Sequence, residues 1–117
     1  MSVGRPDAEA VNDRAKLVMH RAVARAMADP GRAGEILAAA RLWMGRLAEE
    51  GRIHRDFEEW DRLLGLPPDR LRREITRRGE RWDALRSTSP LSVSLPCLRD
   101  EALRRRIWRK ARIGVAA

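Results

Sequence analysis

Residues 8–28, AEAVNDRAKLVMHRAVARAMA, form the clearest helical pattern in the chain. Their apolar side chains return every three or four residues, the spacing that places them on one side of an α-helix. Asp7 precedes this pattern and can cap its first turn, and Asp29-Pro30-Gly31 interrupts it. The small alanines permit close approach of another helix, whether from the same chain or from a second copy. The stripe consists of Val11, Ala15, Val18, Ala22 and Ala26.

The same period continues almost to the end of the chain. Glycines and prolines interrupt it at intervals, and Gly79 bends or interrupts the fourth helix. The pattern predicts an all-α fold, a compact bundle of five or six short helices that forms a single domain over residues 1–117. The later helices are predicted at residues 33–50, 53–64, 69–85 with the bend, and 98–111.

One segment departs from the helical period. Residues 87–96, STSPLSVSLP, contain two prolines and have the pattern of a loop. The longest strand pattern in the chain is LSVSL, which lies within this segment. A proline-bounded loop is therefore predicted near residues 87–97.

Four tryptophans are spread over the later helices. Because an indole buries a large apolar area, each is predicted to anchor the core. An interface role is the alternative for the last one, which lies among arginines. The four are Trp43, Trp60, Trp82 and Trp108.

Charge is distributed unevenly over the 117 residues, which carry a formal net charge of +8. Residues 1–60 contain ten basic and ten acidic side chains, whereas residues 61–117 contain fifteen basic and seven acidic ones. The basic second half predicts contact with a polyanion, DNA or RNA, or with an acidic protein. Of the 25 basic residues 23 are arginine, which favours bidentate contact with phosphate or carboxylate, although a GC-rich genome supplies the same bias.

The sequence contains few features that indicate a cellular compartment. The N-terminal residues lack the apolar stretch of a secretory signal, and no apolar run approaches the roughly 20 residues that cross a bilayer. A single cysteine, Cys97, cannot form an internal disulfide. We expect a soluble cytoplasmic protein without membrane contact.

Residues suited to catalysis are sparse. His20 and His54 fall on different predicted helices, and no spacing typical of a metal site involves them. Cys97 is expected to be a buried structural thiol, and no glycine-rich phosphate loop occurs. The sequence predicts a protein that is not an enzyme and that uses no cofactor or metal.

Residues 57–75 match parts of a helix-turn-helix pattern. Gly65 takes the turn position, and Trp60, Leu64 and Leu71 take apolar positions around it. The alternative is an ordinary helical hairpin with a solvated arginine face. In a helix-turn-helix, the second helix would present to nucleic acid the candidate residues Arg70, Arg72, Arg73, Arg77 and Arg78.

The last predicted helix is the second basic feature. It contains Arg104-Arg105-Arg106, followed by Arg109, Lys110 and Arg112. A nucleic-acid backbone would accept these cations without sequence preference. An acidic protein groove would accept them too, with Leu103, Ile107 and Trp108 as apolar anchors. A frayed, solvated tail is the third alternative.

Three segments give the second half a resemblance to small bacterial helical antitoxins of toxin–antitoxin pairs. They are FEEWDRLL at residues 57–64, LRSTSPL at residues 85–91 followed by Val93 and Leu95, and RDEALRRRIW at residues 99–108. Thr88 and Leu91 stand where that family pattern has a serine and an aromatic residue. The resemblance covers about half of the chain.

The resemblance implies a protein that neutralises a cognate toxin by direct contact and represses its own operon. Alternatives are a small nucleic-acid-binding protein and a structural or adaptor subunit of a larger assembly, and oligomerisation stays open. The implied partner-binding residues are Ser87, Ser89, Pro90, Leu91, Leu103, Arg104, Arg105, Ile107, Trp108 and Arg109.

Overall fold

A long first helix is central to the fold, because most of the other helices pack against it. The computed structural model describes residues 7–52 and 55–116, and within them every regular element is helical, which confirms the predicted all-α fold. Two short 3₁₀ helices, Pro90–Val93 and Pro96–Arg99, connect the last two α-helices. The α-helices are α1 (Ala8–Ala26), α2 (Pro30–Glu49), α3 (Phe57–Leu64), α4 (Pro68–Glu74), α5 (Glu80–Ser87) and α6 (Glu101–Ala116).

Helix ends follow capping residues rather than the ends of the apolar pattern. Asp7 accepts the N–H of Glu9 at 3.1 Å and starts α1 as predicted. Asp29 accepts the N–H of Gly31 at 3.0 Å, so α2 starts at Pro30 and not at residue 33. Proline is favoured at the first helical position because its missing N–H has no intrahelical acceptor there. The residues predicted to stop one helix therefore also start the next.

The later helices agree with the prediction in part. The predicted start of the third helix, residue 53, lies outside the described residues, and α3 begins at Phe57. The interruption predicted at Gly79 is confirmed: this glycine has φ of +126°, a conformation that few other residues adopt, and it precedes the separate helix α5. The last helix begins at Glu101 rather than residue 98, where Asp100 accepts the N–H of Ala102 at 2.9 Å.

The core lies between α1 and the elements that surround it. Ala15, Met19 and Val23 of α1 are fully buried, and α6 packs along the same helix. Trp60 is the one tryptophan in the described chain that is fully buried, and its indole N–H donates to the Leu85 carbonyl at 3.0 Å. Trp43, Trp82 and Trp108 are half-buried, so the core-anchor prediction is confirmed in full for Trp60.

The predicted loop is an ordered part of this core. Ser89 caps the 3₁₀ helix Pro90–Val93 by accepting the N–H of Leu91 at 3.1 Å, and Ser94 donates to the Leu91 carbonyl at 2.7 Å. Leu91 and Leu95 are buried against α1 and α2. The segment lacks an α-helical period because it turns in tight 3₁₀ steps, not because it is unstructured.

A histidine joins α1 to this segment. His20 is fully buried, and its Nδ1 lies 2.7 Å from the carbonyl of Lys16. Since a carbonyl only accepts, Nδ1 carries the proton, and Nε2 accepts from the Ser89 hydroxyl at 2.7 Å. The pKa of His20 is lowered from 6.5 to about 4, mainly by burial and in smaller part by the positive charges of Arg86 and Lys16, against the opposing effect of the backbone hydrogen bond.

A buried arginine closes the link between α4 and α5. The Arg86 guanidinium donates to the carbonyls of Ile75 at 3.2 Å and Arg77 at 2.6 Å, and to Asp83 at 2.8 Å. The side chain is 1% exposed, so these bonds satisfy its two terminal nitrogens where water does not reach, whereas its buried Nε has no hydrogen-bond partner among the described residues. Within the described ranges, no helix is long and apolar enough to cross a membrane.

The neutral state of His20 makes stability depend on pH. The unfolded chain binds a proton at this histidine near pH 6.5 and the folded chain only near pH 4, so the free energy of unfolding falls as the pH drops through that window. The difference is worth about 3 kcal/mol. Urea unfolding at several pH values should show this loss, and His20→Gln should flatten it. Equal slopes for the wild-type protein and His20→Gln would contradict the assignment.

Candidate binding surface

The last helix lies antiparallel to α1. The Trp108 indole N–H donates to the Asn12 side-chain oxygen at 2.7 Å. One turn away on both helices, Arg104 lies near Lys16, and its charge adds to the effect of burial in lowering the pKa of that lysine. Ile107 and Ala111 are buried on the side that meets α1. The packing of α6 against α1 therefore determines which residues of α6 are accessible to a partner.

Cations occupy the rest of the circumference of α6, from the flank beside Ile107 to the side turned away from α1. They are exposed, and of the five only Arg105 has an ion pair within the described chain, at 2.7 Å to Glu101. Ile113, which is 66% exposed, is the one large apolar residue among them. We call this surface the basic face; it consists of Arg105, Arg106, Arg109, Lys110 and Arg112.

The predicted apolar anchors do not lie on the basic face. Ile107 is buried against α1, and Leu103 and Trp108 are half-buried on the same side. Arg104 is engaged within the protein: it donates to the Leu98 carbonyl at 3.0 Å, and its guanidinium lies 5.5 Å from the centre of the Trp108 ring. Of the partner residues predicted on this helix, Arg105 and Arg109 are exposed.

Most loop residues of the predicted partner surface lie inside the protein. Ser89, Pro90 and Leu91 are buried in the chain's own core. Ser87, at the end of α5, is exposed. The 3₁₀ turns direct Leu91 towards α1 and α2. The sequence pattern alone does not show whether the apolar residues of such a loop point into the core or into solvent.

The candidate helix-turn-helix is a hairpin with a short second helix. α4 has seven residues, which gives a length of about 10 Å, and it ends before Arg77 and Arg78. Arg77 pairs with Glu74 at 3.2 Å. Arg70 and Arg73 are exposed, whereas Arg72 is half-buried. The five predicted arginines therefore do not share one helix face.

Arg72 has a structural role in this hairpin. Its Nε donates to the carbonyl of Ala24 at 2.8 Å, and its guanidinium lies 3.5 Å from Asp69. Ala24 belongs to the last turn of α1, where carbonyls lack intrahelical donors. Arg72 thus completes the end of α1, a function for which its neighbour Arg73 is not positioned.

A further basic cluster was not apparent from charge counts. Arg14, Arg21 and Arg25 follow one another at intervals of seven and four residues, so they lie on one side of α1. The cluster does not show in the net charge, because residues 1–60 contain equal numbers of basic and acidic side chains. The helical spacing of the three arginines is the sequence signal that identifies it. We call these three residues the arginine row.

Groups suited to catalysis or metal binding are limited in this structure. The Ser89–His20 hydrogen bond lies in the core, and the histidine's second nitrogen is bound to a carbonyl. Residues 7–52 and 55–116 contain no group of three or more metal-ligating side chains. His54 and the Cys97 side chain lie outside the described residues. Comparisons of the chain with protein-family models, curated proteins and solved structures find no match.

Adjacent arginines of α4 provide a direct test of these assignments. Arg72→Ala removes the donor to Ala24 and should lower the free energy of unfolding by about 1–2 kcal/mol. Arg73→Ala, which removes an exposed side chain, should change it by less than about 0.5 kcal/mol. Urea unfolding at pH 7 measures both; equal losses would show that the hydrogen bond to α1 contributes nothing.

Proposed function

We propose that the protein is a cytoplasmic, non-enzymatic binding protein that contacts the phosphate backbone of nucleic acid through the basic face of α6. The observation that supports this is the set of cations without carboxylate partners on that face: Arg106, Arg109, Lys110 and Arg112 are exposed, and none forms an ion pair within the described chain. Phosphates bind such cations and release counterions, which is favourable at moderate salt.

The composition of the basic face favours phosphate over an acidic protein. Protein interfaces are centred on aromatic or aliphatic anchors that become buried. The anchors that α6 could offer, Ile107 and Trp108, are directed towards α1, which leaves Ile113 alone among the cations. Arginine forks match phosphate oxygens without needing an apolar groove.

Binding should therefore depend strongly on salt. Fluorescence anisotropy with a labelled 20-base-pair duplex at several salt concentrations measures the slope of log K against log salt. Arg106→Ala/Arg109→Ala/Arg112→Ala should reduce that slope by about 2–3 and weaken binding about 100-fold at 0.1 M salt.

The matched control removes the same charge from another helix. Arg32, Arg41 and Arg46 are exposed on α2, and their triple alanine variant should keep most of the affinity and slope. If the two triple variants bind equally well, the basic face is not the contact surface. If the wild-type protein binds no duplex and no single strand at 50 mM salt, the proposed function is wrong.

A second candidate function is neutralisation of a partner protein, as in the bacterial antitoxins that the sequence resembles. One observation favours it: Leu42 is 60% exposed and lines a cleft with Ala39, Trp43 and Val93, beside the segment that the resemblance implicates. An apolar patch of this kind is suited to a protein partner. DNA contact through the basic face would be compatible with autorepression.

Co-expression tests this candidate. The protein encoded by the neighbouring gene should slow growth when expressed alone, and the present protein should restore growth and co-purify with it. Leu42→Asp should abolish both effects, whereas Ile113→Asp, which alters a residue of similar exposure on α6, should preserve the complex. Absence of toxicity and of a complex would reject the antitoxin role.

A further inference from the structure

The arginine row lies on a side of α1 that is partly open to solvent. Arg14 and Arg21 are half-buried and Arg25 is exposed, and other sides of the helix pack against α6, α5 and α4. The eleven-residue separation between the first arginine and the last corresponds to about 16 Å along the helix axis. The row is thus long enough to meet several phosphates in succession.

Positive charges in this region lie close to one another without acidic partners. The pKa of Arg21 is lowered, first by burial and then by the charges of Arg14, Arg78 and other arginines. Within the described chain, neither the arginine row nor Arg78 forms an ion pair. An external anion would relieve this repulsion, whereas the protein's own side chains do not.

Two carboxylates lie near one end of the row, and neither forms an ion pair with it within the described chain. Asp13 and Asp83 line a cleft of about 270 Å³ together with Arg14 and Arg78. Asp83 is bonded to the buried Arg86 at 2.8 Å. Burial, followed by the charge of Asp83, raises the pKa of Asp13, against the opposing effect of Arg86.

The row is continuous with the basic face. A side-chain carbon placed on Gly114 would lie 3.6 Å from the Arg14 Nε, so this part of α6 borders the row. Lys110 and Arg106 precede Gly114 at four-residue intervals and therefore lie on the same side of α6. Axes of packed helices are about 8–10 Å apart. Lys110 and Arg106 of the basic face thus lie along the α6 side of the seam between α1 and α6, and the arginine row lies along its α1 side.

Aromatic side chains are directed away from this seam. Trp108 bonds Asn12, which is on a different side of α1 from Arg14, and Trp43 shares a cleft with Lys16 and Ser89. Trp82 lies 5.9 Å from the guanidinium groups of both Arg77 and Arg81. Proteins that bind single strands stack bases on exposed aromatic rings, and the seam offers none from these residues.

We infer that the seam between α1 and α6 binds double-stranded nucleic acid, with the arginine row and the basic face contacting the two backbones on either side of one groove. The inference rests on the proposed function and adds the class of nucleic acid and the second line of contacts. Two lines of cations without a stacking surface suit a duplex, whose bases are paired and whose phosphates form two parallel tracks.

The test compares a 20-base-pair DNA duplex with each of its separate strands. The wild-type protein should bind the duplex at least about tenfold more tightly than either strand at 0.1 M salt. Arg14→Gln/Arg21→Gln/Arg25→Gln should weaken duplex binding about 100-fold, lower the salt slope by about 2–3, and leave binding of the single strands nearly unchanged.

Two further variants separate loss of contact from loss of fold. The triple Arg→Lys variant of the row keeps the charges and should retain most of the duplex affinity, whereas the α2 triple variant at Arg32, Arg41 and Arg46 should bind as the wild type does. Circular dichroism at the assay temperature checks that each variant is helical. A lysine variant that is folded but binds as weakly as the glutamine variant would overturn the assignment of charge contacts.

The outcomes distinguish the two proposals. Equal affinity for duplex and single strands, unchanged by the glutamine variant, would overturn this inference and leave the role of the basic face intact. Failure to bind either form would overturn both. Displacement of the duplex by poly-glutamate at equal charge concentration would overturn both in favour of an acidic protein partner.

Discussion

The packing of α6 along α1 is the constraint on which both the core and the candidate surface depend. It buries Ile107 and Ala111 against the alanine-containing side of α1 and positions Trp108 to bond Asn12. Once those residues face inward, the helical period turns Arg106 and the other cations of the basic face outward. The same contact brings the end of α6 beside Arg14.

Buried polar bonds complement this apolar packing by holding particular segments in register. Ser89 and His20 are 69 positions apart, and their 2.7 Å hydrogen bond joins the 3₁₀ turns to α1. Arg86 performs a similar role for the α4–α5 link, and Arg72 does so for the end of α1. Each bond satisfies a group that would otherwise be costly to remove from water. These arginines stabilise the fold, which separates them from the cations available to a ligand.

Much of the fold could be predicted because helical periods and caps are local. The 8–28 pattern predicted α1 closely, and the absence of strand patterns indicated the fold class. The surface was less predictable: Leu103 and Ile107 formed an apolar stripe, but a stripe does not reveal whether the chain itself or a partner covers it. The contact of His20 with Ser89 has no local signal, because it joins distant segments through the tertiary fold. The arginine row had a signal in its spacing, which net charge concealed.

Nuclear magnetic resonance of the arginine side chains tests the central claim most directly, since it observes the contact groups individually. Nε–Hε signals are followed while a DNA duplex is added to the labelled protein at low salt. The signals of Arg106, Arg109 and Arg112 should shift together with those of the arginine row, while the signals of Arg32 and Arg46 on α2 should stay in place. Shifts confined to the α2 arginines, or no shifts at saturating duplex, would contradict it.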